Sequence, residues 1–323
     1  MTKPRRATKP QPLPGETGIF DDATLEAIPI HKRVRRRSAH PALNDEDQLR
    51  IFGGWTLDKL EVLRLYLKMY RRVAGGGTYI DGFAGEGEVN INGITRPGTA
   101  LIALQSAAFK QLHFIDANNA LTAKLQARLD TTKRSKSREC TVHGGDTNIT
   151  IDKVLTGVDP NRPLFVCLDQ NATELLWTTV ERLAGFKQLN IDANRCKAEL
   201  WILFNQHQVI QRLWPHAPRL ERRPNPFGAA LDRVFGTREA WIDLWESDAP
   251  AINLMRRYCD QLESVLGYQH VLAQEITDPA NGRPQYFMIH ATDHEAAVDF
   301  MRWAKTRYAK DTGRGEQTTL AIE

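Results

Sequence analysis

The chain has 323 residues, of which 41% are hydrophobic and 25% charged, with a formal net charge of +4. That composition reads as a globular protein long enough for one large domain or two small ones. No apolar run approaches the ~20 residues of a membrane span, and the basic N-terminus has no apolar stretch behind it, so no signal peptide is expected. Cys140, Cys167, Cys196 and Cys259 are scattered without a C-x-x-C, as in a reducing cytoplasm, the expected location.

The charge is unevenly placed. Residues 1–40 hold nine Lys and Arg residues against four acidic ones, and the segment is too polar and Pro-rich to bury a core. Residues 1–45 are therefore expected to be a basic disordered arm, able to clamp phosphates or simply to be solvated. The domain is expected over 46–310. Leu57, Leu60, Leu63, Leu67 and Tyr70 recur at helical spacing, predicting an amphipathic helix over 57–73 that ends at Gly75-Gly76-Gly77.

From there strands and helices alternate. Strand 78–81 runs into Asp81-Gly82-Phe83-Ala84-Gly85-Glu86-Gly87, an acidic strand end followed by glycines at G-x-x-G-x-G spacing. Such a turn lets backbone approach a nucleotide-like ligand, although the pattern alone is weak. A polar insertion (Asn90–Pro97) separates it from a helix at about 98–110. Strand 112–116, a helix at about 118–130 and a basic loop (Thr131–Arg138) follow, then strands 140–143 and 164–169, a helix near 174–184 and strand 199–204. Near-continuous apolar strands between helices predict a doubly wound parallel sheet. Residues 206–264, with Trp214, Trp241 and Trp245 and a proline cluster, read as a helical insertion. Runs 269–276 and 285–291 flank a turn, predicting an antiparallel C-terminal hairpin. A helix at 293–308 closes the domain, and 311–323 are expected to be a disordered tail. The sum is an α/β fold with a seven-stranded, mostly parallel sheet.

Asp81, Asp116, Asp146 and Asp169 each stand at the carboxyl end of a strand, where open parallel sheets bind ligands. A lone Asp there is commonly a helix N-cap; four in succession point to a nucleoside site. Asp116 suits ribose hydroxyls, Asp146 with Thr147 an adenine edge, and Asp169 the reacting atom. Asp116 follows Asp81 too distantly for the usual NAD spacing, and no G-K-[ST] marks a P-loop. S-adenosylmethionine (SAM) fits best, since it carries no phosphate and acidic Glu86 can face a sulfonium. Cys140-x-x-His143 has a ligand-like spacing without a second pair, so no metal is expected. Asn225-Pro226-Phe227 reads as a turn.

These segments also carry a resemblance. The helix Lys59-Leu60-Glu61-Val62-Leu63 after Trp55, the turn Tyr79–Gly87, Pro97-Gly98-Thr99-Ala100-Leu101, Phe114-Ile115-Asp116, Phe165–Asp169, Leu200–Asn205 and Tyr286–Thr292 resemble the three-Cys-motif partner proteins, which are similar to class I SAM-dependent methyltransferases. The resemblance covers residues 55–304. It implies that Asp81, Gly82, Phe83, Ala84, Gly85, Gly87, Asp116, Asp146 and Thr147 bind SAM. It further implies that Asp169, Gln170 and Asn171 orient a methyl acceptor, and that a three-Cys-motif protein is a partner. One departure stands out: Asp169-Gln170-Asn171-Ala172 replaces the family's Asp-Pro-aromatic-Gly. Proline would fix a φ angle there and an aromatic would offer a stacking surface. His207 is a conceivable base.

The expected function is a SAM-dependent methyltransferase acting on a nucleic-acid base or an amine, with nucleic acid held by the arm and the 131–138 loop. The alternatives are a decayed SAM- or nucleotide-binding module and a scaffold whose Trp-rich insertion docks a partner.

Overall fold

Alternation of side chains across the strands decides where the layers of this molecule fall. In the computed structural model the described residues are 51–321, except 53, 75, 133–137, 191–194, 207, 208, 210–212, 214–225, 245–249, 279–281 and 313–318. Residues 41–323 form one compact unit. The expected basic arm, His207, most of the basic loop, Trp214 and Trp245 lie outside the described residues.

Helix α1 (Trp55–Ala74) starts two residues before the sequence reading placed it and buries Leu60, Leu63, Tyr66, Leu67 and Tyr70 along one stripe. After it comes β2 (Gly77–Asp81), β1 being the short Ile51–Phe52. A Cβ on Gly77 would come 2.3 Å from the carbonyl oxygen of Pro163, so only glycine lets β2 lie this close to the neighbouring chain. Strand β5 (Phe109–Asp116), β6 (Glu139–Gly144), β7 (Leu164–Leu168) and β8 (Glu199–Phe204) pair parallel around β2. Strand β9 (His270–Thr277) and β10 (Pro284–Thr292) form the expected hairpin, with β10 antiparallel to both β9 and β8. Because β10 is reversed between them, β9 runs in the same sense as β8.

The sheet order is β11-β9-β10-β8-β7-β2-β5-β6. The seven expected strands are present, and the eighth corrects an expectation. Residues Thr319–Ala321 of the assumed disordered tail form β11, antiparallel on β9. That strand satisfies backbone groups that an edge would leave unpaired.

Strand neighbours point to opposite faces. Ile80, Val166, Leu168 and Ile202 enter a core beneath α4 (Thr147–Leu155), α5 (Trp177–Asn190), α6 (Pro226–Phe235) and α7 (Pro250–Ser264). Tyr79, Phe165, Cys167 and Trp201 enter a second core beneath α1, α2 (Thr99–Ser106), α3 (Asn119–Thr131) and α8 (Glu295–Thr312). The stretch read as an insertion is therefore partly frame. Helix α7 joins β8 to the same-sense β9, the crossover that a parallel pair requires. Helix α6 begins at Pro226, and proline suits a helix start because its missing N–H would find no partner there.

A small sheet of β1, β3 (Glu88–Ile91) and β4 (Ile94–Pro97) replaces the expected polar insertion. Asn92 (φ 53°) and Gly93 (φ 84°) make its two-residue turn, a conformation that Asn-Gly favours.

Candidate cofactor cleft at the carboxyl edge of the sheet

The glycine turn is tied to the strands on either side of β2. The Gly82 amide donates to the Cys167 carbonyl and the Ala84 amide to the Ile115 carbonyl, each at 2.9 Å. Asp81 has no exposed surface and accepts from the Phe83 amide and the Tyr79 hydroxyl, both at 3.2 Å, and from Thr99. Burial pushes its carboxyl up to about 7 despite those bonds. Asp81 and Gly82 lock the turn from beneath and do not line the cleft above it.

Gly85 does. Its φ is +60°, and a Cβ there would meet nothing within 4 Å, so the backbone faces open space. Its amide donates to Asp116 Oδ2 at 2.9 Å, while the Asn118 amide donates to Oδ1 at 2.9 Å. Each Asp116 oxygen keeps a lone pair for a hydroxyl donor. Phe83, Ala84, Gly87 and Leu121 complete this side of a cleft of about 630 Å³ that includes its open mouth. A glycine cradle facing an acceptor-rich carboxylate fits a nucleoside that carries hydroxyls at one end and a polar chain at the other.

Glu86 departs from expectation. Its carboxylate lies 3.2 Å from Arg128 Nη1 and 3.9 Å from Lys124 Nζ, and Arg128 also bonds Glu88 at 2.9 Å. Two cations already balance it, so it is not held in reserve for a sulfonium.

Asp146 and Thr147 lie off the cleft. Asp146 is the N-cap of α4, accepting from the Asn148 amide at 2.8 Å. The Thr147 hydroxyl donates to the Gly82 carbonyl, and the Asn148 side chain accepts from the Leu176 amide at 3.0 Å and from the Thr179 hydroxyl at 2.8 Å. These residues brace the glycine turn against the start of α5, and Asp146 caps α4 through Oδ1.

The loop after β7 separates its three candidate residues. Asp169 lines the cleft, and both its oxygens are held by Lys59 Nζ, at 2.5 and 2.6 Å. Gln170 is buried: its amide donates to the Leu203 carbonyl at 3.0 Å and accepts from the Leu175 amide at 2.8 Å. It pins the loop between β8 and the approach to α5. Asn171 lines the cleft, with its carbonyl accepting from the Asn205 side chain.

Lys59, Thr56 and Leu60 of α1 form a further wall of the cleft, beside Val89, Gly98 and Thr99. The helix is anchored by Tyr66, which donates to Glu199, and by Asp58, which accepts from Tyr308 at 2.6 Å. Lys59 was visible in the resembling helix, but nothing local marked its target 110 residues away. His143 pairs with His113 at 3.1 Å, and burial lowers His113 to about 4. No group of three metal-capable side chains occurs among the described residues.

No family model matches the chain, and no curated protein matches it. Among solved structures it is similar to a protein from Legionella pneumophila str. Philadelphia 1, with 8% identity over 82% of this chain and 95% of that one and a TM-score of 0.50. It is also similar to the methyltransferase domain of bacterial CtHen1-C, with 14% identity over 72% and 98% and a TM-score of 0.40. The third is M. jannaschii TYW2 in complex with AdoMet, with 10% identity over 75% and 76% and a TM-score of 0.34. At these identities the likeness is one of fold, and the two lower scores add no weight. The chain has a class I methyltransferase-like fold, on the strength of its own topology. No helix among the described residues is long and apolar enough to cross a membrane.

Proposed function

We propose that the chain is a SAM-dependent methyltransferase of the three-Cys-motif partner type, transferring a methyl group to a nitrogen of a nucleic-acid base or another amine in the cytoplasm. One observation carries the reading: open, left-handed Gly85 hydrogen-bonded to the strand-end carboxylate of Asp116 at the mouth of the cleft. Backbone from Ala84 to Gly87 would hold the methionine end, Asp116 the ribose hydroxyls, and Leu121 would flank the base. SAM supplies an electrophilic methyl group on a sulfonium. The protein's part is to place the accepting nitrogen in line with it and to exclude water. Asp169 would accept an N–H of the acceptor, and Asn171 would hydrogen-bond beside it. The basic arm and the 131–138 loop would bind phosphates, and a three-Cys-motif protein would present or select the target.

A second reading has a specific observation in its favour. With Gln170 committed to the loop and Asp169 to Lys59, the chain also suits a SAM-binding module without turnover. Calorimetric titration with SAM and a tritiated-methyl assay on DNA, RNA and amines distinguish the two. Binding with label transfer that Asp169→Ala abolishes supports the enzyme; binding without transfer supports the module. Gly85→Val should remove binding, because a β-branched side chain is strained at this φ and would project into the cradle. Retained binding would place the cofactor elsewhere.

A further inference from the structure

The cleft treats its acids in two ways. Glu86 and Glu88 are balanced by Arg128, which is not among the residues lining the cleft. Asp116 carries backbone amide donors. Asp169 alone among the lining acids is balanced by a cation that itself lines the cleft, Lys59, and the two side chains are only 14% and 11% exposed. Lys59 Nζ also lies over the Tyr286 ring, 5.4 Å from its centroid. Both carboxylate oxygens are engaged at once, which fixes the ammonium on a rigid strand end.

The geometry points to Lys59 and Asp169 as a charge gate that sets how strongly the cleft prefers a positively charged sulfonium nucleoside over its neutral thioether counterpart. This rests on the SAM reading. SAM and S-adenosylhomocysteine (SAH) differ by a methyl group and one positive charge, so turnover converts a cationic ligand into a neutral one in the same cleft. A paired Lys59 and Asp169 present nearly no net charge to either. With Asp169 neutralised, the Lys59 ammonium would repel the sulfonium and leave the thioether untouched. With Lys59 neutralised, the bare carboxylate would attract the sulfonium. Both side chains are mostly removed from water, so screening is incomplete. The pair therefore lets SAM enter without trapping it and lets SAH leave without a charge penalty.

The test is the ratio of dissociation constants, SAH over SAM, measured by calorimetry on the full chain. The ratio cancels any general damage to the fold. Lys59→Met should raise it about tenfold, Asp169→Asn should lower it about tenfold, and the double variant should return it near the wild-type value. Lys59→Arg, which keeps the charge, should leave the ratio within about twofold; should the methionine variant fail to fold, Asp169→Asn carries the test. If both nucleosides bind and neither single variant moves the ratio, the gate is refuted while the cofactor reading stands. If wild-type protein binds neither nucleoside, both are refuted.

Discussion

Burial raises the Asp81 carboxyl to about 7, although bonds from Thr99, the Phe83 amide and Tyr79 pull it down. A carboxyl raised in the folded state holds its proton at pH values where the unfolded chain has lost it. Its contribution to stability is therefore complete below about pH 4 and drains away as pH rises through about 7. Asp81→Asn keeps an oxygen acceptor for the Phe83 amide and removes the ionisation. Relative to wild type, its stability should rise between pH 4.5 and 7.5 by on the order of 2–4 kcal/mol and level off above that. Urea unfolding across this range measures the difference. Parallel pH curves for the two proteins would mean that Asp81 ionises in the folded state at an ordinary pH. Position at a strand end was legible in the sequence, whereas burial was not. The same acid that looked like a ligand group is closed beneath the turn it stabilises.

At the scale of loops and helices, local chemistry was readable and long-range contacts were not. The glycine turn, the strand ends and the hairpin are written in adjacent residues. So was Asn92-Gly93 between Ile91 and Ile94, a hairpin signal passed over as polar insertion. Asp146 shows two local rules meeting at one residue: a strand-end acid standing just before Thr147-Asn148 also caps the helix that starts there. Lys59 meeting Asp169 and Gln170 meeting Leu203 depend on the finished fold. Gln170 also resolves the missing proline. A proline would fix one backbone angle, while this side chain instead ties the loop to β8 and to the approach of α5 at once. Gln170→Ala would leave a carbonyl and an amide unpaired in a buried place, at a cost of about 2–4 kcal/mol, read as a lower midpoint in urea. Gln170→Glu keeps the acceptor for Leu175 but sets a carboxylate against the Leu203 carbonyl, so it should be no better. A midpoint unchanged in Gln170→Ala would show that the loop holds itself.

For the molecule as a whole, the question is whether the region between β8 and β9 is an appendage or part of the frame. Its tryptophans and prolines read as an insertion, because composition reports a change of character without saying where the chain goes. Trp241 answers it. The ring has no exposed surface, its N–H donates to Asp232 at 2.9 Å, and the Arg238 guanidinium both forks onto Asp232 and lies 5.2 Å from the ring centroid. Trp241, Phe235 and Tyr258 belong to the same continuous core as Ile80, Val166 and Ile202 of the central strands. A core shared in this way transmits damage. Trp241→Ala should cost about 3–5 kcal/mol, from lost burial and the cavity left behind. Because the layer is common, the loss should appear as one transition at lower denaturant, with far-ultraviolet dichroism and the fluorescence of the remaining tryptophans moving together. An appendage would behave otherwise: the fluorescence change would come first, and the β-sheet signal would keep the wild-type midpoint.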